Sequence, residues 1–473
     1  MVFSSLTFLF FFLPLFLLLY QVARKEYKNL LILAASIIFY SWGAPKFVFV
    51  ILGSTFIDFY LVKFLHQSSK VSTRKLFLAC SIILNLGLLA FFKYANFFVE
   101  NVNAILTALG STQLEWTKVA LPIGISFYTF QTLTYSIDVY RGQHKPLSKL
   151  TDYLLYIMSF PQMIAGPIVR YTTIANQIVN RSDKLEDKLQ GFYRFSIGLA
   201  KKVLIANVMG EQADYIMNAN VDSLHSGFLW LGMIAYTFQI YFDFSGYSDM
   251  AIGLGRMMGF TFPENFKSPY TAKSISEFWR KWHITLGAFM RDYLYIPLGG
   301  NRVKSKTRLY MNLWIVFLLS GLWHGASWNF VIWGAYHGLF LILDRLFLLK
   351  FYDIIGKLPS MLITFLLVMI GWVFFRLESF DHAFTYVLRL FEFNSFELPD
   401  VIPAFNKTLI FAIFFAFLTT TSLGRKVESF FFEKEQYRST EHLFIASISL
   451  LLFILSVAAI TASDFNPFIY FRF

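Results

Sequence analysis

Long apolar segments recur from one end of this sequence to the other, and short charged stretches separate them. About 20 apolar residues are enough for a helix to cross a bilayer. Of the 473 residues, 56% are hydrophobic and 15% are charged, whereas roughly a quarter are charged in a typical water-soluble domain. The sequence therefore predicts an all-α polytopic membrane protein embedded in the lipid bilayer, and the apolar runs correspond to about eleven crossings.

The charges of the loops predict how the chain is threaded. The first apolar run, roughly residues 4–22, is followed by the basic turn RKEYK, and later basic loops are HQSSKVSTRK and the stretch after Arg141. A Gly-Ala-Pro corner at 43–46 and an acidic loop after the fourth span alternate with them. Cytoplasmic loops carry an excess of lysine and arginine, so this alternation places the N-terminus outside. The net charge of +12 lies largely in these loops and does not indicate nucleic-acid binding.

One apolar segment, residues 153–171, is interrupted by Pro161, Gly166 and Pro167. At membrane depth, prolines are tolerated where the freed backbone groups find partners in protein or water. The segment predicts a re-entrant or broken helix that faces an interior cavity, and an ordinary kinked helix is the alternative. No repeat or low-complexity linker is present, so residues 1–473 are expected to form a single domain.

A second apolar segment, residues 226–259, has an unusually polar second half that contains Asp243, Tyr247 and Asp249. Arg256 follows Asp249 by seven positions, which places both on one face of a helix. We expect either a buried ion pair between them or a cavity lining. A structural pair and a contact to substrate are both open at this point.

Polar and histidine residues are concentrated between residues 276 and 338, among tryptophans and glycines. In EFWRKWHITLGAF, four apolar or aromatic positions follow helical spacing and predict one amphipathic helix in the membrane interface or tucked into the protein: Trp279, Trp282, His283 and Leu286. Arg280 and Lys281 lie on its other faces. Ionisable groups at membrane depth are costly, which marks this stretch as a candidate functional site.

His324 lies in SGLWHGASW, between Gly321 and Gly325, which permit close approach of another backbone or of a substrate chain. A neutral imidazole offers one donor and one acceptor, as a general base needs when a hydroxyl attacks an ester or thioester. Catalysis, proton coupling and structural hydrogen bonding are all compatible with such a residue. His337, 13 positions later, is expected on another face of a straight helix, as a core histidine or a supporting group.

Other chemistries find little support in the sequence. It has no serine in a Gly-X-Ser-X-Gly setting and no His-Glu-X-X-His motif. The single cysteine, Cys80, excludes a cysteine-rich zinc cluster. We therefore expect no metal site and no bound cofactor.

A series of motifs spans nearly the whole chain and resembles the membrane-bound O-acyltransferase family, in particular its bacterial alginate and peptidoglycan O-acetyltransferases. These motifs are FFKYANFF at 91–98, LPIGISFYTFQ at 121–131, FPQMIAGPIVRY at 160–171, FDFSGYSDMAIG at 242–253, FPENF at 262–266, FWRKWHITL at 278–286, GLWHGASWNFVIWGAYHG at 321–338 and a closing NPFIYFRF. The resemblance implies a ring of transmembrane helices, with re-entrant and interfacial helices, around a central tunnel.

The resemblance also implies residue roles. The family's invariant histidine matches His324, and its second signature position matches His283, 41 residues earlier. The candidates for contact with substrate or for lining the tunnel are Trp323, Ser320, Trp279, Trp282, Asp243, Tyr247, Asp249 and Arg256. The basic candidates for attracting the donor are Arg280, Lys281, Arg302 and Lys304, although positive charge in cytoplasmic loops alone accounts for them as well.

The activity implied is transfer of acetyl from a cytoplasmic donor, expected to be acetyl-CoA, across the bacterial inner membrane. A periplasmic partner protein would then complete O-acetylation of a cell-envelope polysaccharide. A composition rich in Phe, Lys and Ile favours peptidoglycan slightly over alginate as the acceptor. A D-alanyl transferase of the same family and a proton-coupled transporter are the alternatives, but the carboxylates repeated along several spans that a transporter would need are not seen.

Overall fold

The computed structural model describes residues 1–181, 184–392, 407–432, 437–463 and 465–469. Every regular element in these ranges is helical, which confirms the all-α prediction for this part of the chain. The chain forms two compact units, Met1–Gly191 with Leu254–Pro263 and Phe192–Gly253 with Glu264–Phe473. The expectation of a single domain over residues 1–473 stays a prediction.

The helices from the N-terminus to the start of the second unit are α1 Leu13–Val22, α2 Lys28–Gly43, α3 Val48–Gln67, α4 Val71–Leu89, α5 Ala95–Ala108, α6 Ile125–Tyr140, α7 Leu150–Met158, α8 Phe160–Met163, α9 Tyr171–Val179 and α10 Leu185–Ala200. A π-helical turn, Phe8–Phe12, leads into α1, and another, Ala90–Tyr94, joins α4 to α5. The break between α2 and α3 falls at the Gly-Ala-Pro corner, as predicted. Pro45 has no backbone N–H and disfavours helical geometry at the residue before it.

The segment around Pro161 is a broken helix. α7 ends at Met158, α8 has only four residues, and a buried non-helical stretch runs on to Val169. Two hydrogen bonds satisfy backbone groups at the break. The Ser36 hydroxyl of α2 accepts the Phe160 N–H at 3.1 Å, and within the segment the Gln162 amide donates to the Tyr156 carbonyl at 2.6 Å. The broken helix is thereby confirmed, the simple kinked helix is wrong, and a re-entrant path through the membrane stays a prediction.

The remaining helices, most of them in the second unit, are α11 Asn207–Met217, α12 Ser226–Met257, α13 Ile275–Lys281, α14 Ile284–Met290, α15 Lys306–His324, α16 Trp328–Leu343, α17 Leu349–Ile355, α18 Lys357–Arg376, α19 Phe380–Arg389, α20 Lys407–Thr419, α21 Ser422–Phe432 and α22 Ser439–Ala462. A π-helical turn, Lys201–Ala206, joins α10 to α11. The core of this unit is rich in aromatic side chains, among them the buried Trp282, Trp333 and Trp372.

Four helices in the described ranges are long and apolar enough to cross a membrane: α3, the continuous Val71–Ala108, α18 and α22. A fifth is added if α20 and α21, bent by 80°, form one broken span. Other predicted crossings are shorter, for example α6 with 16 residues. The count of about eleven crossings and the ring around a tunnel are therefore not confirmed, whereas a membrane protein with several apolar helices is.

Candidate functional site

His283 lies at a break between two short helices. α13 begins after Ser274, whose hydroxyl accepts the Glu277 N–H at 3.1 Å, and ends at Lys281. His283 then adopts the left-handed conformation, with φ 44° and ψ 53°, before α14 starts. A non-glycine residue seldom takes this conformation, and it costs about 1–3 kcal/mol that the surroundings must offset.

A neighbouring segment holds this break in place through the main chain. The Lys267 N–H donates to the Lys281 carbonyl at 3.0 Å, and the Ile284 N–H donates to the Asn265 carbonyl at 2.9 Å. The predicted continuous amphipathic helix through Trp279, Trp282, His283 and Leu286 is therefore wrong. The last three of these side chains are nevertheless buried, as the apolar spacing indicated.

The His283 ring is almost completely buried, with 1% of the residue exposed. Its Nδ1 lies 3.0 Å from Oδ1 of Asn265, and the edge of its ring meets Phe244 at a centroid distance of 4.7 Å. Burial lowers the pKa of His283 to about 3, because a charged ring would lose its hydration. His283 is therefore neutral at physiological pH.

His324 is the last residue of α15 and is also buried. Aromatic rings surround it, with centroids at 4.9 Å for Trp323, 5.1 Å for Trp333 and 5.2 Å for Phe375. Ser320 lies one helical turn earlier on α15 and is buried as well. The imidazole is thus packed among aromatic rings.

Trp323 links the two histidines. Its ring centroid is 6.1 Å from that of His283 and 4.9 Å from that of His324. The two residues that the sequence singled out, 41 positions apart, therefore contact the same tryptophan within one unit.

His337 extends this cluster on the far side of a second tryptophan. The Trp333 ring lies 5.1 Å from His324 and 4.9 Å from His337, and Trp279 donates its indole N–H to Nδ1 of His337 at 3.4 Å. The expectation of one straight helix does not hold, because the chain leaves helical geometry at Gly325 before α16 begins at Trp328. His337 is a fully buried histidine with a hydrogen-bond partner, in agreement with the core histidine expected, while a supporting role in the site stays a prediction.

The glycines beside His324 let α16 come close rather than leaving open space. A side chain on Gly321 would collide with the Phe330 carbonyl and with Gly334 of α16, and one on Gly325 would collide with the Phe330 ring. Of the two uses predicted for these glycines, close approach of another backbone is the one that the structure contains.

Replacing Gly321 with valine is therefore expected to destabilise the protein by about 1–3 kcal/mol, because the added atoms force α15 and α16 apart. Thermal unfolding of the purified protein in detergent measures this effect. Gly87→Ala on α4 is a matched control, since no atom lies within 4 Å of the added methyl group. Equal melting temperatures for Gly321→Val and wild type would contradict the close packing.

Asp249 and Arg256 do not form the predicted pair. Asp249 contacts Arg194 at 2.8 Å and Lys201 at 2.7 Å, whereas Arg256 contacts Asp187 at 3.4 Å. Seven residues along a helix correspond to about 10.5 Å, and side chains interact mainly at spacings of three or four. The ion-pair prediction is wrong, and Asp249 instead neutralises two buried cations.

Asp243 and Tyr247, on the same helix, contact the C-terminal segment. Asp243 pairs with Lys202 at 2.8 Å and accepts the Ile469 N–H at 2.8 Å. The Tyr247 ring stacks on Phe468 at 4.4 Å. Both side chains are buried and serve the packing of residues 465–469 against α12, while a role for them as substrate contacts stays a prediction.

The basic candidates for attracting the donor lie at or near the surface, away from the buried histidines. Lys281 forms an ion pair with Glu277 at 2.7 Å, and Arg302 and Lys304 are exposed in the loop before α15. Arg280 lines a cavity of about 340 Å³ together with Lys273 and Lys357 among other residues. An excess of positive charge at such a cavity suits an anionic ligand, although Glu277 and Asp353 also line it.

Comparison with known proteins identifies the family. Residues 125–354, which include both candidate histidines, match the model of the membrane-bound O-acyltransferase family. The chain is 40% identical to a protein of Pseudomonas putida named "Probable alginate O-acetylase AlgI", and the alignment covers all of both chains. This chain belongs to the membrane-bound O-acyltransferase family.

Two further relatives narrow the activity. A peptidoglycan O-acetyltransferase of Helicobacter pylori is 37% identical over 81% of this chain and 78% of its own length. A teichoic acid D-alanyltransferase of Bacillus subtilis is 30% identical, but over only 55% of this chain and 70% of its own. The relatives that align over most of the chain are O-acetyltransferases, so the protein is an O-acetyltransferase enzyme of this membrane family.

Sequence reasoning missed the residues that hold the two histidines. Asn265, which contacts His283, lies within the FPENF motif, and that recurrent motif was the only signal that could have pointed to it. Trp333, whose ring contacts His324 and His337, was not singled out, and its place in the motif at 321–338 was the signal for it. Among the described residues, no three His, Cys, Asp or Glu side chains come together in a way that could hold a metal ion.

Proposed function

We propose that this enzyme takes an acetyl group from acetyl-CoA on the cytoplasmic side of the inner membrane and passes it across the bilayer. A periplasmic partner would then complete the O-acetylation of a cell-envelope polysaccharide. Relatives named for O-acetylation of alginate and of peptidoglycan support an acceptor of this class. The N-terminus outside, from the loop charges, is the orientation that we propose with it.

The observation that supports this proposal is the pair of buried imidazoles that both contact the ring of Trp323. In the reaction proposed, a hydroxyl oxygen attacks the carbonyl carbon of the acetyl thioester while a histidine takes the hydroxyl proton. The carbon–sulfur bond then breaks, the thiolate of CoA recovers a proton, and an acetyl ester is left on the acceptor. His324 and His283 are the residues that we propose for this proton transfer.

The surrounding candidates fit supporting roles. The ring of Trp323 contacts both imidazoles, and the ring of Trp282 packs at 5.1 Å from Phe266. Ser320 lies one turn before His324. We propose that the aromatic side chains exclude water, which would otherwise hydrolyse the thioester. Arg280, Lys281, Arg302 and Lys304 are proposed to attract the phosphates of the donor.

Two acceptor polymers, peptidoglycan and alginate, are compatible with this proposal. Composition favours peptidoglycan slightly, whereas the full-length match is to a protein named for alginate. Both polymers offer hydroxyl groups, so the chemistry proposed for the histidines is the same for either. We therefore propose the reaction class without choosing between them.

Incubating the purified protein with labelled acetyl-CoA and with alginate or peptidoglycan fragments tests the proposal. We expect CoA release that depends on a hydroxyl acceptor, because thioester cleavage requires a hydroxyl to receive the acetyl group. Label is expected in the polysaccharide fragments once the periplasmic partner is also present. His324→Ala, prepared in the same way, is the control for a contaminating activity. Label from a D-alanyl carrier protein, with none from acetyl-CoA, would contradict the donor assignment.

A further inference from the structure

Asn265 is buried beside His283, and it forms hydrogen bonds to the residues around this histidine as well as to its ring. Its main-chain carbonyl accepts a hydrogen bond at 2.9 Å from the N–H of Ile284, which is the first residue of α14. Its side-chain Oδ1 lies 3.0 Å from Nδ1 of His283, 2.8 Å from the Thr285 hydroxyl and 3.3 Å from the Thr285 N–H. Its Nδ2 donates to the hydroxyl of Ser248 on α12 at 3.1 Å.

These contacts determine which way the Asn265 carboxamide faces. The backbone N–H of Thr285 can only donate a hydrogen bond, so the Asn265 atom that it meets must be the carboxamide oxygen. Since an oxygen of this kind accepts and never donates, the Nδ1 of His283 at 3.0 Å must carry the proton.

A neutral imidazole carries one ring proton, and burial keeps His283 neutral. With the proton on Nδ1, the other nitrogen, Nε2, has only a lone pair. Nε2 is buried and has no hydrogen-bond partner among the residues that the structure describes. The ring is thus held in one tautomer, with an unused acceptor in the interior of the protein.

We propose that Asn265 is the positioning residue of the acetyl transfer site, fixing His283 in the Nδ1–H tautomer so that Nε2 accepts a hydrogen bond or proton from the reacting hydroxyl. This inference rests on the proposed role of His283. In this tautomer Nε2 of His283 can only accept a hydrogen bond or proton, so it cannot donate a hydrogen bond to the developing oxyanion. The left-handed backbone of His283 has the same cause, because the Asn265 carbonyl and carboxamide together hold the ring and the start of α14.

Solid-state NMR of the full-length protein, labelled with ¹³C and ¹⁵N at histidine and reconstituted into lipid, tests the tautomer directly. Correlation of each ring nitrogen with its neighbouring ring carbon distinguishes Nδ1 from Nε2. The resonances of His283 are those lost in His283→Gln. We expect a protonated Nδ1 and a bare Nε2 in the wild type, and a protonated Nε2 there would overturn the proposal.

Variants of Asn265 test the positioning. Asn265→Asp keeps an oxygen for Nδ1 and for both Thr285 donors, and the Ser248 hydroxyl can turn to donate to it. We expect it to retain the Nδ1–H tautomer and to keep activity within about tenfold of wild type. Asn265→Ala removes the acceptor, and we expect a mixture of tautomers and a loss of activity of about 10²- to 10⁴-fold.

Thr285→Val is the matched control, because it removes one hydroxyl from Asn265 without touching the contact to His283. We expect its His283 spectrum to match that of the wild type. An Nδ1–H tautomer that persists in Asn265→Ala, or full acetyl transfer by that variant, would overturn the positioning role. Since the spectra need no substrate, a failure of the proposed acetyl donor would appear only in the transfer assay and would leave the tautomer result readable.

Discussion

Replacing His324 with alanine is expected to lower polysaccharide O-acetylation by about 10²- to 10⁴-fold, the range that a positioned general base contributes. The imidazole lies among the rings of Trp323, Trp333 and Phe375. Acetate released by base from the cell envelope of a complemented deletion strain measures the effect. Gel filtration of the purified variant shows whether it remains inserted and monodisperse.

Two further variants test whether the loss of O-acetylation is specific to the imidazole of His324. His66→Ala removes an exposed histidine at the end of α3 and is expected to leave acetate release unchanged. His324→Gln keeps a polar side chain of similar length but cannot act as a base at neutral pH, so it should be as inactive as alanine. Acetate at the wild-type level in monodisperse His324→Ala protein would remove His324 from the mechanism.

The parts of the fold that sequence predicted correctly depend on local signals. The corner at Pro45 and the interruption at Pro161 follow from the missing N–H of proline, which acts within one or two residues of its own position. The continuous helix α12 follows from an apolar run without proline. The crossing count is not confirmed, because apolar runs of 20 residues include helix ends and turns, so some of the helices inside them are shorter.

The histidine pair was found, but its surroundings depend on contacts that are distant in sequence. Apolar spacing alone could not distinguish a continuous helix from α13 and α14, because Trp282 and Leu286 are buried in either case. The break at His283 is held by Asn265, 18 residues earlier, and no periodicity reports a partner at that distance. One left-handed residue therefore changes the direction of the ring while leaving the hydrophobic pattern as it was.

The charged residues of α12 also contact partners that are distant in sequence. Asp249 was assigned to Arg256 because both lie on one helical face, yet its partners Arg194 and Lys201 lie 55 and 48 residues away on other elements. Isolated charge in an apolar interior is costly, so a buried carboxylate indicates that cations are nearby. It does not indicate which cations, since that depends on how the helices pack.

Replacing Asp249 with asparagine is expected to destabilise the protein by about 3–5 kcal/mol, the cost of leaving buried charge uncompensated. The side chains of Asp249, Arg194 and Lys201 are only 7%, 9% and 16% exposed, so water cannot take the place of the lost carboxylate. Arg194 retains Glu264 at 2.5 Å, which leaves Lys201 as the cation most affected. Denaturant or thermal unfolding in detergent measures the loss.

Asp187→Asn provides the comparison, because it breaks a more exposed ion pair of α12, between Asp187 and Arg256. Those side chains are 31% and 34% exposed, and such a pair contributes about 0–1 kcal/mol. If Asp249 instead served the reaction and not the packing, Asp249→Asn would unfold like the wild type and lose acetyl transfer. A large loss of stability in Asp249→Asn alongside a small one in Asp187→Asn is the result expected of a buried carboxylate that neutralises two cations of its own unit.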